Sequence, residues 1–110
     1  MKFSITGLNH KTAPVEVRER LAFDEGDAGR ALRDLTAQPG VAEAMIVSTC
    51  NRVEVAIVGA DEADARAAVA EFLARSRQIE LASFAGHLYH HEEEEAVRHL
   101  FRVASSLDSM

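Results

Sequence analysis

A single cysteine, Cys50, stands inside Ser48-Thr49-Cys50-Asn51-Arg52, at the point where the apolar run Ala44-Met45-Ile46-Val47 gives out. A thiolate is the form that attacks a carbonyl carbon, and nearby positive charge and backbone N–H donors favour it. Arg52 supplies such a charge close by. By residue type alone a cysteine is more often a small buried hydrophobe, but the polar neighbours of Cys50 argue for display. Nucleophilic catalysis also needs a proton partner, donors for an oxyanion and a handle on the substrate. Five histidines are candidates for the first, His10, His87, His90, His91 and His99, and their spacing does not choose among them. Backbone N–H groups around Cys50, with the Thr49 and Asn51 side chains, are candidates for the second. Arg52 is the candidate handle: a guanidinium fork matches a carboxylate in charge and shape, which points to an acidic substrate. Thr and Asn also populate turns, and a lone Arg is usually solvated. Their conjunction with the cysteine is what suggests chemistry.

Other patterns carry less. His87, His90 and His91 invite a metal reading, yet on a strand His87 and His91 share a face that His90 opposes, so no metal site is expected. Gly26-Asp27-Ala28-Gly29 lacks the strand-to-helix glycine spacing of a dinucleotide site. A formal net charge of −6 disfavours non-specific nucleic-acid binding. A local patch could still meet phosphates, since Arg30 with Arg33 and Arg98 with Arg102 fall at helical spacing, although such pairs more often face solvent.

The elements that must position these residues follow from periodicity. Phe3, Ile5 and Gly7 alternate with Ser4 and Thr6 in a first strand ending near Leu8. Pro14 suits the first position of a short helix, Val15 to Leu21. Asp24 is a plausible N-cap for a second helix carrying Ala28, Ala31, Leu32 and Leu35 on one face, stopped by Pro39-Gly40. Strands from about Val41 to Val47 and from Val53 to Val58 lie at hairpin separation, with Cys50 at the hairpin end. Asp61 and Asp64 resemble a capping box before a long helix with Ala65, Ala68, Val69, Phe72 and Leu73 as its buried stripe. A short fourth strand is expected over His87 to His90. The acidic run Glu92 to Glu95 then suits the start of a last helix, with Val97, Leu100, Phe101 and Ala104 on its apolar face and His99 pointing off it. The predicted class is α+β: a ferredoxin-like split β-α-β with an extra N-terminal helix and a C-terminal helix, its sheet packing helices on one face.

Composition agrees with one globular domain: 110 residues, 47% hydrophobic and 27% charged. One cysteine forms no internal disulfide, and no apolar run approaches the roughly 20 residues that span a bilayer. A cytoplasmic protein with no membrane partner is expected. The N-terminus reads as a strand and not as a signal peptide.

Four segments in order resemble a known family: Gly7-Leu8-Asn9-His10-Lys11-Thr12-Ala13-Pro14, Val17-Arg18-Glu19, Ser48-Thr49-Cys50-Asn51-Arg52-Val53-Glu54, and His99 through Met110. Together they are similar to the N-terminal catalytic domain of glutamyl-tRNA reductase, over essentially the whole chain. The resemblance implies that Cys50 attacks the ester joining glutamate to its tRNA. The thioester so formed is reduced by NADPH to glutamate-1-semialdehyde, at the start of tetrapyrrole synthesis. It implies that Thr49, Asn51, Arg52 and Ser109 line the glutamate pocket and that His99 is the histidine needed near the thiol. It further implies that residues 1–110 are one domain of a longer chain whose missing parts bind NADPH and form a homodimer, with a downstream aminomutase as a possible partner. Ala56 departs from the family, where tyrosine is expected to be common. A fragment of this kind would only hydrolyse the ester. The alternative is a non-catalytic ferredoxin-like module that binds a ligand or partner and carries Cys50 as a redox-sensitive thiol.

Overall fold

The computed structural model describes residues 1–61 and 64–105. The chain runs β1 (Lys2–Asn9), α1 (Val15–Leu21), α2 (Glu25–Thr36), β2 (Val41–Ser48), β3 (Arg52–Gly59), α3 (Ala65–Arg77), β4 (Tyr89–Glu92) and α4 (Glu94–Ala104), with two short 3-10 turns, Leu81–Ser83 and Ala85–His87, before β4. The four strands form one antiparallel sheet in the order β2-β3-β1-β4. This is the ferredoxin-like α+β arrangement that the element order predicts.

Side-chain alternation divides β1 and β3 between two faces. Ser4, Thr6 and Leu8 of β1 pair with Ile57, Val55 and Val53 of β3. That face is covered by α1, α2 and α3, whose Leu21, Leu35, Val69, Phe72 and Leu73 join Leu8, Val53 and Val55 in the main core. Burying each of these large side chains contributes about 1.5–3 kcal/mol. The sequence leads one to expect helices on this face only. Instead α4 crosses the opposite face, where Ala96 and Leu100 pack on Ile5, Ala56 and Phe3. Ala56 is buried in that contact. With both faces covered, six of the eight β3 residues starting at Arg52 are buried in unbroken succession, the pattern of a central strand and not of a half-solvated one. At the edge, β2 is half-buried, with no fully buried residue, and carries a bulge between Val41 and Glu43.

Side-chain caps start two of the four α-helices. The Asp24 carboxylate accepts from the Asp27 N–H at 2.8 Å and starts α2 as expected. Pro14 sits one position earlier than expected, as the extended N-cap of α1. The N-cap of α3 is Asp64, accepting from Ala67 N–H, while Asp61 pairs with the chain's amino terminus. The expected fourth strand is displaced by two residues, because the 3-10 turn over Ala85–His87 consumes His87 before β4 begins. Between β4 and α4 lies a single residue, Glu93, at φ 53°, whose N–H donates to the Phe3 carbonyl at 2.8 Å. This pinched connection folds α4 straight back over the sheet. Among the described residues no helix is long and apolar enough to cross a membrane.

Candidate active site

Cys50 lies in the three-residue connection between β2 and β3 and is exposed. The connection is closed by hydrogen bonds of its own: Thr49 N–H donates to the Arg52 carbonyl at 2.8 Å, and the Thr49 hydroxyl accepts from Asn51 and Arg52 N–H, both at 3.2 Å. The Thr49 side chain and three N–H groups are therefore committed to the turn, where the sequence suggests oxyanion donors. Two further contacts tether the loop. Arg18 reaches the Cys50 carbonyl through Nε at 3.4 Å and the Ala13 carbonyl through Nη1 at 2.7 Å, and Phe23 N–H donates to the Ser48 hydroxyl at 2.9 Å.

Beside this loop, on the α4 face, the ends of β1, β3 and β4 bring a buried polar network together. Gly7 of β1 has Glu54 of β3 on one side and Tyr89 of β4 on the other. A Cβ on Gly7 would stand 2.3 Å from the Val53 carbonyl oxygen and 2.9 Å from Glu54 Cγ, so only glycine lets the flanking strands' side chains meet above it. They do meet: the Tyr89 hydroxyl donates to Glu54 Oε2. The same oxygen accepts from His99 Nε2–H of α4 and, at 3.3 Å, from Arg52 Nη1. Arg52 is 1% exposed and Glu54 4%, so this is a buried charge pair, a state that requires such hydrogen-bond satisfaction. With Nε2 donating to Glu54, a neutral His99 carries its lone pair on Nδ1, the form that can take a proton.

His99 thus turns inward, contrary to the expectation that it points off the apolar face of its helix. The residues buried on α4 are Ala96 and His99, while Val97 and Phe101 stand 42% and 70% exposed. The bond to Glu54 makes the imidazole's burial possible. A cavity of about 410 Å³ opens beside it, lined by Asn9, Tyr89, His91, Glu95, Arg98, His99 and Arg102. His91 stacks on His99 with ring centroids 4.7 Å apart, and Tyr89 tilts against both rings. Burial, reinforced by the charge of Glu54, pushes the Tyr89 phenol far above its ordinary range, so it stays a donor. Burial, followed by the influence of His99, lowers His91, which is neutral at pH 7.

The remaining histidines go elsewhere. His87 Nδ1 donates to the Thr12 carbonyl at 2.8 Å, and His90 bridges the Thr6 hydroxyl at 2.6 Å and Glu92 at 2.9 Å on the other side of β4. Among the described residues no three potential ligands converge on a metal position. Ser109 lies outside the described residues. Cys50, Thr49 and Asn51 occupy the loop, and Arg52 sits behind the cavity wall, joined to Tyr89 and His99 through Glu54. Glu54 itself is the residue that sequence reasoning passes over. Its signal was an Arg52-x-Glu54 pair at strand spacing, leading the apolar run Val55 to Val58.

The fold and site define a ferredoxin-like domain with a displayed thiol at a hairpin end and a carboxylate-anchored histidine near the same end of the strands. Residues 6–110 match the model of the family described as glutamyl-tRNAGlu reductase, N-terminal domain, and the chain belongs to that family. It is 56% identical over its full length to the glutamyl-tRNA reductase of Solibacter usitatus and 53% identical to that of Syntrophotalea carbinolica, covering 26% and 25% of those proteins. Its fold matches the solved glutamyl-tRNA reductase from Methanopyrus kandleri with a TM-score of 0.69 at 35% identity, over 98% of this chain and 23% of that one. The chain thus spans about a quarter of the length of these relatives.

Proposed function

We infer that this chain performs the acyl-transfer half of a glutamyl-tRNA reductase, with Cys50 as nucleophile. The observation that carries the inference is the exposure of the one cysteine, on a loop fixed by its own hydrogen bonds, in a chain of this family. The Cys50 thiolate attacks the carbonyl carbon joining glutamate to the terminal ribose. The tetrahedral oxyanion collapses, the C–O bond breaks, and the ribose oxygen leaves as a hydroxyl with a proton. His99 is the proposed proton carrier, its ring held by Glu54 through Nε2. Arg52, buried behind the cavity wall and oriented by the same glutamate, is the proposed source of positive charge for the substrate's side-chain carboxylate, acting through that wall unless the Glu54 pair opens, with Thr49, Asn51 and Ser109 as further proposed lining residues. The product on the enzyme is a glutamyl thioester.

Reduction of that thioester to glutamate-1-semialdehyde, the entry to tetrapyrrole synthesis, requires hydride from NADPH. Nothing described here fits that cofactor: the sheet is antiparallel throughout, and no glycine-rich strand-to-helix turn is present among the described residues. We assign the nucleotide site, and the surfaces for dimerisation and for an aminomutase, to the part of such enzymes that this chain does not span. Left alone, the thioester passes its acyl group to water, and the chain behaves as a slow esterase. A reducing cytoplasm would keep the thiol free.

Incubation with labelled glutamyl-tRNA should yield a cysteine-linked glutamate and accelerated release of the amino acid, both absent in Cys50→Ser. Equal behaviour of the two proteins would refute the assignment. Exposure of Cys50 also fits a redox-sensitive thiol on a non-catalytic module. Alkylation by iodoacetamide well below the ordinary thiol range near pH 8.5 distinguishes an activated nucleophile from that alternative.

A further inference from the structure

The turn that carries Cys50 leaves one backbone donor uncommitted, and we propose that this N–H, that of Cys50 itself, receives the oxyanion formed in acyl transfer and is aimed by Arg18. The inference rests on the acyl-transfer reading and names the donor that reading lacks. In residues 49 to 52 the N–H groups of Thr49, Asn51 and Arg52 are bonded within the turn, whereas that of Cys50 has no partner among the described residues. The Thr49 hydroxyl is occupied as well. When the Cys50 sulfur bonds the ester carbon, the C=O π pair moves onto oxygen, and that charge needs a donor already in place. It persists until the C–O bond breaks and the ribose oxygen leaves with a proton. A nucleophile's own N–H commonly serves here, because only two carbons separate it from the attacking atom.

Arg18 governs where that N–H points. Its Nε–H donates to the Cys50 carbonyl at 3.4 Å and its Nη1–H to the Ala13 carbonyl at 2.7 Å, so one planar guanidinium spans the approach to α1 and the turn. The Ala13 end is the firm one, since Ala13 is buried and precedes Pro14, the N-cap of α1. The longer bond is of the kind that tightens when substrate binds. Thr49 fixes the peptide plane before Cys50 and Arg18 the plane after it, which together set the direction of the N–H relative to sulfur. Arg52, by contrast, faces Glu54 in a buried pair. Arg18 is thus a positioning residue that acts through Cys50.

The test sets acylation of the 110-residue chain against its alkylation. Attack on glutamyl-tRNA creates an oxyanion, whereas displacement of iodide from iodoacetamide uses the same thiolate and creates none. Arg18→Met removes the bridge, and Arg18→Lys keeps the charge without the planar fork. Cysteine-linked glutamate is followed by mass spectrometry in a single turnover. Removing an oxyanion donor outright costs about 100- to 1000-fold in rate, so misaiming one by Arg18→Met should slow acylation at saturating glutamyl-tRNA at least about tenfold more than alkylation at the same pH. The half-saturating concentration should stay nearly unchanged. Arg18→Lys should alkylate at the wild-type rate yet recover only a small part of the lost acylation. If Arg18→Met fails to fold by circular dichroism, the lysine variant carries the same comparison. Equal losses in the two reactions, no loss in either, or full recovery by lysine would overturn the role of Arg18 while leaving the thiol chemistry standing. A wild type that is alkylated but never acylated would overturn the acyl-transfer reading with it.

Discussion

Replacing Glu54 by glutamine keeps the side chain's shape and removes its charge from beneath three donors. At the 3.3 Å separation of Arg52 Nη1 and Glu54 Oε2, direct attraction is about 5 kcal/mol at an effective dielectric constant of about 20. Part of it is recovered, because the amide oxygen still accepts a hydrogen bond. The guanidinium, however, stays buried at 1% exposure opposite a neutral group, and breaking a buried pair from one side typically costs about 3–5 kcal/mol. We predict a loss of about 3 kcal/mol for Glu54→Gln, seen in urea unfolding followed by circular dichroism. That corresponds to a fall in Tm of roughly 12 °C or more for a domain of this size. A double-mutant cycle with Arg52→Gln should give a coupling of at least about 1.5 kcal/mol. A single-mutant loss under about 1 kcal/mol, or a coupling near zero, would show that the two charges are solvated in solution and that Glu54 does not anchor the site.

Gly7→Ala should destabilise by about 3 kcal/mol, since its Cβ has no room against the Val53 carbonyl and Glu54 Cγ; urea titration measures the loss, and the His99 imidazole resonances should move with it. Tyr89 is the one tyrosine of the chain, so absorbance at the phenolate band reports it alone. Its raised folded pKa means that the native state keeps the proton, so no phenolate should appear at pH 10–11 until unfolding. The stability Tyr89 contributes is complete below about pH 10, the unfolded value, and is lost as pH climbs above it. His91 shifts the other way: its folded pKa is lowered, so NMR should show it titrating below the usual value near 6.5, and its contribution to stability, present above that value, should decline as pH falls through the folded pKa.

Element order was legible because each strand and helix carried its own period: Phe3-Ile5-Gly7 at two, and Ala65, Val69, Phe72 and Leu73 at helical spacing. Where local signals compete, boundaries slip. His87-Leu88-Tyr89-His90 has no clear period, so a 3-10 turn claimed its first residue. Of the site, Cys50, Arg52 and His99 could each be picked out by type, but not the way they connect. An apolar stripe of Val97, Leu100 and Phe101 placed His99 outward by amphipathic logic. A charged acceptor on another strand reversed that, which no pattern within α4 records. Glu54 went unassigned for a related reason. A charge in an alternating strand normally marks the wet side, and only the fold shows that α4 makes that side dry.

The β2–β3 turn and the imidazole hang from different layers of the molecule. The Cys50 carbonyl is moored to Arg18 of α1 beneath the sheet, whereas His99 rides on α4 above it. Their spacing is therefore set by how two decks stack on a common floor, together with the Arg52–Glu54–His99 hydrogen bonds that join the end of the turn to the imidazole. A substitution that thins or thickens either interlayer, such as a larger residue at Ala56 under α4, would retune the gap between sulfur and nitrogen from a distance, leaving both groups chemically untouched.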